Sequence, residues 1–404
     1  MPISNSPDNT SSSNPLTQAI SSTYLPPILQ VGPGAALTLA NVLNRFNCKH
    51  CLIVTDQILL SLGHLEKITA ALKEQNITAV IFADTVPEPT SSSIIKGIEF
   101  FKAGSFDSIV AIGGGSVMDS AKAINVIGTH GGNISDYKVP HDQSQSGVRL
   151  IAIPTTAGTG SEATRFTVIT DDQSHEKMLC TGIGYVPDAA LIDYTLTLTM
   201  PPRVTADSGL DALTHAIEAY VSQRANPYSD SQALAALRLI GPNLSRVYHD
   251  PDNHHARKAM MLGATLAGIA FSSASVALVH GMSRPIGAFF EVPHGLSNAM
   301  LLPSITEYSI PAAQARYAEC ARAMGLFDKT VGDQQACEAL MTELYRLNND
   351  LDVPSLSAFG IDKHRYESLT TEMARQALGS GSPGNNPRVP SVEEMVELYL
   401  KAWS

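Results

Sequence analysis

Four short apolar, mostly β-branched runs, Cys51–Thr55, Ala79–Ala83, Ser108–Ile112 and Leu150–Pro154, alternate with amphipathic stretches at Gly63–Gln75, Ser91–Ala103 and Asp119–Ile127. Strands separated by helical segments need crossover connections, so this alternation predicts βαβ units and a parallel sheet. Phe166–Thr170, Lys177–Thr181 and Ala190–Asp193 extend that sheet or form a side ribbon. After Met200-Pro201-Pro202 the texture changes. Thr205–Ser222, Ser229–Tyr248, Ala256–Phe271 and Ala277–Phe290 are rich in Ala and Leu at helical spacing, and further helices are expected at Pro311–Met324, Asp333–Asn348 and Val392–Ala402. The chain divides into a Ser-, Asn- and Pro-rich arm over residues 1–18, an α/β domain over 19–200 and an all-helical domain over 201–404. The arm's composition is too polar to offset the entropy of ordering it.

The 404 residues are 44% hydrophobic and 16% charged, near globular averages, which argues against a disordered or fibrous chain. With 27 basic against 38 acidic residues the net charge is −11, which disfavours nucleic acid and anionic membranes as partners. No apolar stretch approaches the ~18 residues of a spanning helix, and the N-terminus lacks the basic and apolar regions of a secretory signal. Five scattered cysteines, an odd number, suit a reducing cytoplasm rather than a disulfide framework. Cys48-Lys49-His50-Cys51 has the spacing of a redox pair or half a zinc site, yet Cys51 also opens an apolar run that reads as a buried strand.

Ser108–Ile112 runs into Gly113-Gly114-Gly115-Ser116 and then a helix carrying Asp119 and Lys122. A strand, a glycine turn and a helix N-terminus let backbone N–H groups and the helix dipole meet a phosphate, although glycines also serve ordinary turns. The spacing matches neither GxGxxG nor the Walker A loop. A second polar turn, Pro154 to Glu162, follows another strand end, where ligands of open α/β sheets bind. Asp56, just past the first strand, would either accept hydrogen bonds from an adenosine ribose, favouring NAD over NADP, or cap the helix beginning near Ile58.

Asp211 and His215 stand four apart in a helical pattern, so they share a face. His280 ends an apolar run and His294 follows fourteen residues later. One Asp and three His could hold a divalent ion, Fe²⁺ or Zn²⁺. Any one of the twelve histidines is better explained as an ordinary hydrogen-bonded residue, and spacing alone does not choose.

These segments together resemble the iron-containing (group III) alcohol dehydrogenases, the family of lactaldehyde reductase and 1,3-propanediol dehydrogenase. The matching stretches are Val54-Thr55-Asp56, Val86 to Thr90, Gly113 to Lys122, Ile153 to Glu162, Asp211 to Tyr220, His280 to Gly295 and Asn385 to Arg388, in order along the chain from about residue 25. The resemblance implies a dinucleotide-binding α/β domain, a helical metal-binding domain and an active site in the cleft between them. It assigns the metal, Fe²⁺ ahead of Zn²⁺, to Asp211, His215, His280 and His294. It places the NAD pyrophosphate at Gly113, Gly114, Gly115 and Ser116, puts Asp119, Thr155, Thr156, Thr159, Thr164 and Lys177 near the cofactor, and gives Asp56 the position associated with NAD preference. A homodimer acting on a small alcohol or aldehyde is implied, the metal polarising the substrate oxygen while hydride passes to or from the nicotinamide.

Two positions depart from the pattern. Relatives often carry a histidine four residues after the third metal ligand, where this chain has Arg284, which cannot serve as a proton relay. Arg284 would contact a carboxylate or phosphate on the substrate, or turn away and pair with an acid such as Glu291. Glu88 stands where relatives often have Asn beside the cofactor, and an ionised Glu accepts hydrogen bonds but cannot donate them. Two further readings compete: a non-redox cyclase resembling dehydroquinate synthase, whose metal set is richer in Glu, and a nucleotide-binding protein without catalysis.

Overall fold

The structure, a computed structural model, describes residues 20–174, 176–327 and 330–403, so the arm expected over residues 1–18 lies outside the described residues. In chain order the strands are β1 (Ile28–Val31), β2 (His50–Val54), β3 (Thr78–Phe82), β4 (Ser108–Gly113), β5 (Arg149–Pro154), β6 (Phe166–Thr170), β7 (Lys177–Thr181) and β8 (Ala189–Ile192). Six of them form a parallel sheet in the order β1-β8-β5-β4-β2-β3, while β6 and β7 pair antiparallel as a separate ribbon. Of the three later runs, then, two make the side ribbon and the third enters the main sheet between β1 and β5. β1 had no distinct sequence signal, being four residues long and a sheet edge with half its residues exposed.

The central strands are apolar without interruption because both faces are covered. Cys51 and Ile53 of β2, Val110 and Ile112 of β4 and Ile151 and Ile153 of β5 join one core with α1 (Leu39–Arg45), α2 (Gln57–Ser61) and α3 (His64–Glu74). Their neighbours Leu52, Val54, Ile109, Ala111, Leu150 and Ala152 face the opposite core, with residues of α4 (Ser91–Ala103) and α5 (Gly115–His130). Cys48 and Cys51 are fully packed, and burial pushes the Cys51 thiol up to about 12, so the CxxC spacing belongs to a strand entrance rather than a redox or zinc site.

After β8 the chain is helical: α6 (Pro202–Val221), α7 (Pro227–Ile240), α8 (Leu244–His249), α9 (His254–Ala274), α10 (Leu278–Phe290), α11 (His294–Ser309), α12 (Gln314–Ala323), α13 (Asp333–Asp350), α14 (Lys363–Gly379) and α15 (Val392–Lys401) surround one continuous apolar core. The single helix expected over Ser229–Tyr248 is two, α7 and α8, because Gly241-Pro242 interrupts it and Pro242 has no N–H for the ladder. Helices α9 and α10 meet at 103°, and Ser275 between them takes a left-handed φ of 65°. That corner aims the start of α10 back toward the sheet.

The two regions touch where the turn after β5 meets α9. Gly160 has φ 62°, and a Cβ on Gly268 would stand 2.5 Å from the Gly160 carbonyl oxygen and 2.7 Å from its Cα. Since backbone faces backbone, neither side can yield. Gly268→Ala is therefore expected to lower stability by about 1–3 kcal/mol, seen as a reduced Tm, and to loosen this turn against α9.

Candidate active site

Helix α6 brings Asp211, His215 and Glu218 onto one face by their spacing of four and then three residues. The ligand atoms of Asp211, His215 and His280 lie within 4.8 Å of one another and all three residues are buried. Nε2 of His215, His280 and His294 stand 3.8, 3.4 and 3.7 Å from Asp211 Oδ1. His294, the first residue of α11, completes the set at the cleft side with its side chain 36% exposed. The Asn298 amide, one turn further along α11, lies 2.8 Å from Asp211 Oδ1, 3.1 Å from His280 Nε2 and 3.3 Å from His294 Nε2.

The electrostatics suit a cation. Burial pushes His215 down to about 4, so its ring is neutral near pH 7 and keeps a lone pair for a ligand. For Asp211 burial favours the acid, but His215, His294 and His280 outweigh it and hold the carboxyl well below the usual range. His280 also feels burial, which opposes its protonation, yet Glu218 and Asp211 prevail and raise its pKa. Glu218 Oε2 is 2.6 Å from His280 Nδ1, and Glu218 Oε1 accepts from the Val279 N–H at 2.6 Å. The carboxylate thus accepts a hydrogen bond from Nδ1–H and leaves the Nε2 lone pair for a cation beside Asp211. A buried carboxylate oxygen and three imidazole nitrogens facing one centre are the donor set for Fe²⁺ or Zn²⁺, so these residues fit the ion.

A cleft of about 1090 Å³, part of it open to solvent, runs from this cluster to the start of α5. Glu88, Gly115, Ser116, Asp119, Thr159, Thr164, Lys177, the metal cluster and Arg284 all line it. Gly113 ends β4, and Gly114 caps α5. The glycines are needed because a second turn packs on them: Cβ atoms on Gly114 and Gly115 would stand 3.1 Å from Thr156 Cγ2 and 2.7 Å from Thr159 Cγ2. Thr155 lies behind, buried, its N–H donating to the Gly113 carbonyl. Asp56 is outside the lining; its Oδ1 accepts from the Leu59 N–H at 2.8 Å, which is the capping role. It nevertheless follows β2, whose Val54 is level with Ala111 of β4, so Asp56 and the glycine turn flank the place where the strand order reverses.

Asp119 and Thr164 spend their polar atoms on the scaffold. Asp119 accepts from Ser161 Oγ and the Val168 N–H, and burial raises it to about 6. Lys122, fully buried, donates to Ser161 and Thr164 oxygens and the Phe166 carbonyl. Lys177 Nζ is 2.8 Å from Glu88 Oε2, and Glu88 adopts φ 52°, a conformation Asn tolerates more readily than Glu. Arg284 does not pair with Glu291, which ends α10; its Nη1 donates to Ser382 Oγ at 2.9 Å. Glu218 and Asn298 escaped sequence reasoning. Their signal was present, since each sits on a helix face shared with a ligand, Glu218 seven residues after Asp211 and Asn298 four after His294.

Residues 26–194 match the family model for iron-containing alcohol dehydrogenase, and residues 205–403 match that of the Fe-containing alcohol dehydrogenase family, C-terminal. The chain belongs to this family. Its chemistry is accordingly oxidoreduction between alcohol and aldehyde, and the cyclase reading is not favoured. It is 38% identical over 355 residues to long-chain-alcohol dehydrogenase 1 of Geobacillus thermodenitrificans, covering 87% of this chain and 89% of that one. A crystal structure of 1,3-propanediol oxidoreductase superposes with TM-score 0.90 at 32% identity, covering 95% of this chain and 100% of that chain. Sulfoacetaldehyde reductase from Bifidobacterium kashiwanohense in complex with NAD⁺ does so with TM-score 0.86 at 25% identity, covering 96% and 100%.

Glu218→Gln should weaken metal affinity about 10–100-fold, measured by titration of the stripped protein with Zn²⁺. The sign of the pH dependence follows from His280. Its proton must leave before a metal binds, so wild-type affinity rises with pH up to the raised His280 pKa, and that inflection should move down in Glu218→Gln.

Proposed function

We propose that Asp211, His215, His280 and His294 hold one divalent ion, Fe²⁺ ahead of Zn²⁺, and that the cleft leading from them to the Gly113–Ser116 turn binds NAD(H) for hydride exchange with a small primary alcohol or aldehyde. The observation that carries this reading is the convergence of three imidazoles on the buried Asp211 carboxylate at one end of a cleft whose other end is a glycine turn and a helix N-terminus. A bound ion supplies Lewis acidity to a substrate oxygen, and the nicotinamide accepts or donates the hydride.

The chain's own residues do the positioning. Gly114, Gly115 and Ser116 form the N-cap and first turn of α5, whose N–H groups have no intrahelical acceptor, so a pyrophosphate would meet them at the positive end of the α5 dipole. Phe166, Leu179, Phe271 and Val276 give the cleft apolar walls that limit water around the reacting atoms. His215 is held flat between Phe271 and His280, with ring centroids 4.2 and 4.4 Å away, which restrains its Nε2. Arg284 keeps its proton, so the proton of the alcohol leaves by water, a ribose hydroxyl or another His. In this reading Thr155 and Thr156 shape the phosphate turn from behind, Thr159 and Thr164 border the cofactor, and Asp119 acts through the loop it anchors.

We also propose a division near residue 200 between a cofactor-binding and a metal-binding domain, a cytoplasmic location and a homodimer. The five described cysteines are all free and buried, as a reducing compartment allows. Leu29 and Val31 on the open β1 edge are 42% and 45% exposed, with Tyr24, Leu25 and Leu37 beside them in sequence, an apolar edge that a second copy would cover.

Chelator-stripped enzyme should lose aldehyde-dependent NADH oxidation and regain it on adding Fe²⁺ or Zn²⁺, whereas Asp211→Ala should neither bind the ion nor recover. Turnover unaffected by complete metal removal would refute the assignment. Asp56→Ala should raise the kcat/KM ratio of NADPH to NADH about tenfold or more, since the carboxylate no longer repels a 2′-phosphate; an unchanged ratio would leave Asp56 as a helix cap alone.

A further inference from the structure

We infer that Arg284 makes this a reductase of short aldehydes that carry an anionic group, a carboxylate being the simplest case. This rests on the reading of the cleft given above and specifies its substrate class.

Arg284 follows His280 by four residues on α10, so the two side chains leave the same helix face, with Cβ atoms about 5–6 Å apart. Both line the cleft. Arg284 is half-buried, and among the described residues its hydrogen-bond partner is a neutral hydroxyl, Ser382 Oγ. Among the described residues no carboxylate lies within ion-pair distance of it; Glu218 acts on it from farther away while committed to His280 and Val279. Burying a cation without a counter-ion is costly; Arg257 is buried with no carboxylate within ion-pair distance too, but it lies outside the cleft lining, whereas Arg284 lines the cleft beside His280. The other cleft cation, Lys177, is paired, with Glu88. The cofactor's phosphates belong at the start of α5, at the opposite end from His280. What remains in the cleft beside Asp211 and the three histidines is a guanidinium fork with donors beyond the one given to Ser382. A planar fork suits a carboxylate, sulfonate or phosphate, and it rejects a plain alkyl tail that leaves it unpaired.

The test compares 4-oxobutanoate with butanal, matched in chain length, as substrates of metal-loaded enzyme with NADH. Wild type should prefer 4-oxobutanoate in kcat/KM by about tenfold or more, and Arg284→Gln should cut that ratio about 10–100-fold, chiefly through KM for the anion. Arg284→Lys, which keeps the charge but loses the fork, should recover part of the preference. Succinate should compete with butanal in wild type, a measurement that needs no variant, and its binding to the enzyme–NADH complex, read by NADH fluorescence, should weaken in Arg284→Gln. A wild-type preference for butanal, equal losses on both aldehydes in Arg284→Gln, or succinate binding indifferent to the substitution would each overturn the inference and leave Arg284 as a clamp on Ser382. If no aldehyde is reduced, the reading of the site as an alcohol and aldehyde centre fails instead, while the succinate titration still decides the role of Arg284.

Discussion

A buried ammonium holds the working parts of this molecule together. Lys122 projects from α5 into the turn that follows β5 and donates to oxygens of Ser161, Thr164 and Phe166. Burial pulls its pKa down to about 8, with Asp119 and Glu162 opposing the loss of charge. The same turn carries Thr159 onto Gly115, Gly160 onto Gly268 of α9, and Glu162 onto Thr265, whose hydroxyl donates at 2.6 Å. One side chain of α5 thus fixes the loop that both packs the glycine turn and braces the helical region. Removing a partner from such a network leaves charge stranded in a low-dielectric interior, which is why it transmits position firmly.

The metal cluster depends on that bracing at one remove. Asp211 and His215 come from α6, His280 from α10 and His294 from α11, so the cluster exists only where three helices agree. Phe271, near the end of α9, stacks on His215, and the sharp corner at Ser275 then sends the chain back with His280. A shift of α9 against the Gly160 turn would move the packing surface of one ligand and the starting point of another. The glycine pair is therefore a constraint on chemistry as much as on stability.

Much of this was legible in the residues. The uninterrupted apolar runs of β2, β4 and β5 announced strands covered on both faces, and β6 and β7 appear at the bounds their alternation suggests. What failed has physical reasons. β1 is a short, half-exposed edge strand whose place is set by pairing with β8, which the sequence does not show. The break between α7 and α8 lies in Gly241-Pro242, a strong local signal outweighed by the helical spacing on either side. In the site, Asp211, His215, His280 and His294 were recognisable as a candidate set only through the family resemblance, because spacing within a chain does not tell which helices meet. Asp56 illustrates the limit: its carboxylate caps α2 and lies outside the cleft lining, yet the sequence motif reads identically for a cap and for a ribose contact.

The charge distribution ties the two departures from the family pattern together. The chain is acidic overall, at −11, yet the ligands proposed for the cleft are anionic, so the local field must oppose the global one. At the cofactor end Glu88 neutralises Lys177, leaving attraction to the α5 N-terminus and its N–H groups, which bind phosphate without a full charge. At the end nearer His280, among the described residues, no acid lies within ion-pair distance of Arg284. An enzyme for neutral aldehydes gains nothing from an unpaired guanidinium, which costs desolvation and supplies no proton transfer. The arrangement becomes favourable when the missing counter-ion arrives with the substrate, and desolvation then strengthens the contact it had weakened the protein to prepare.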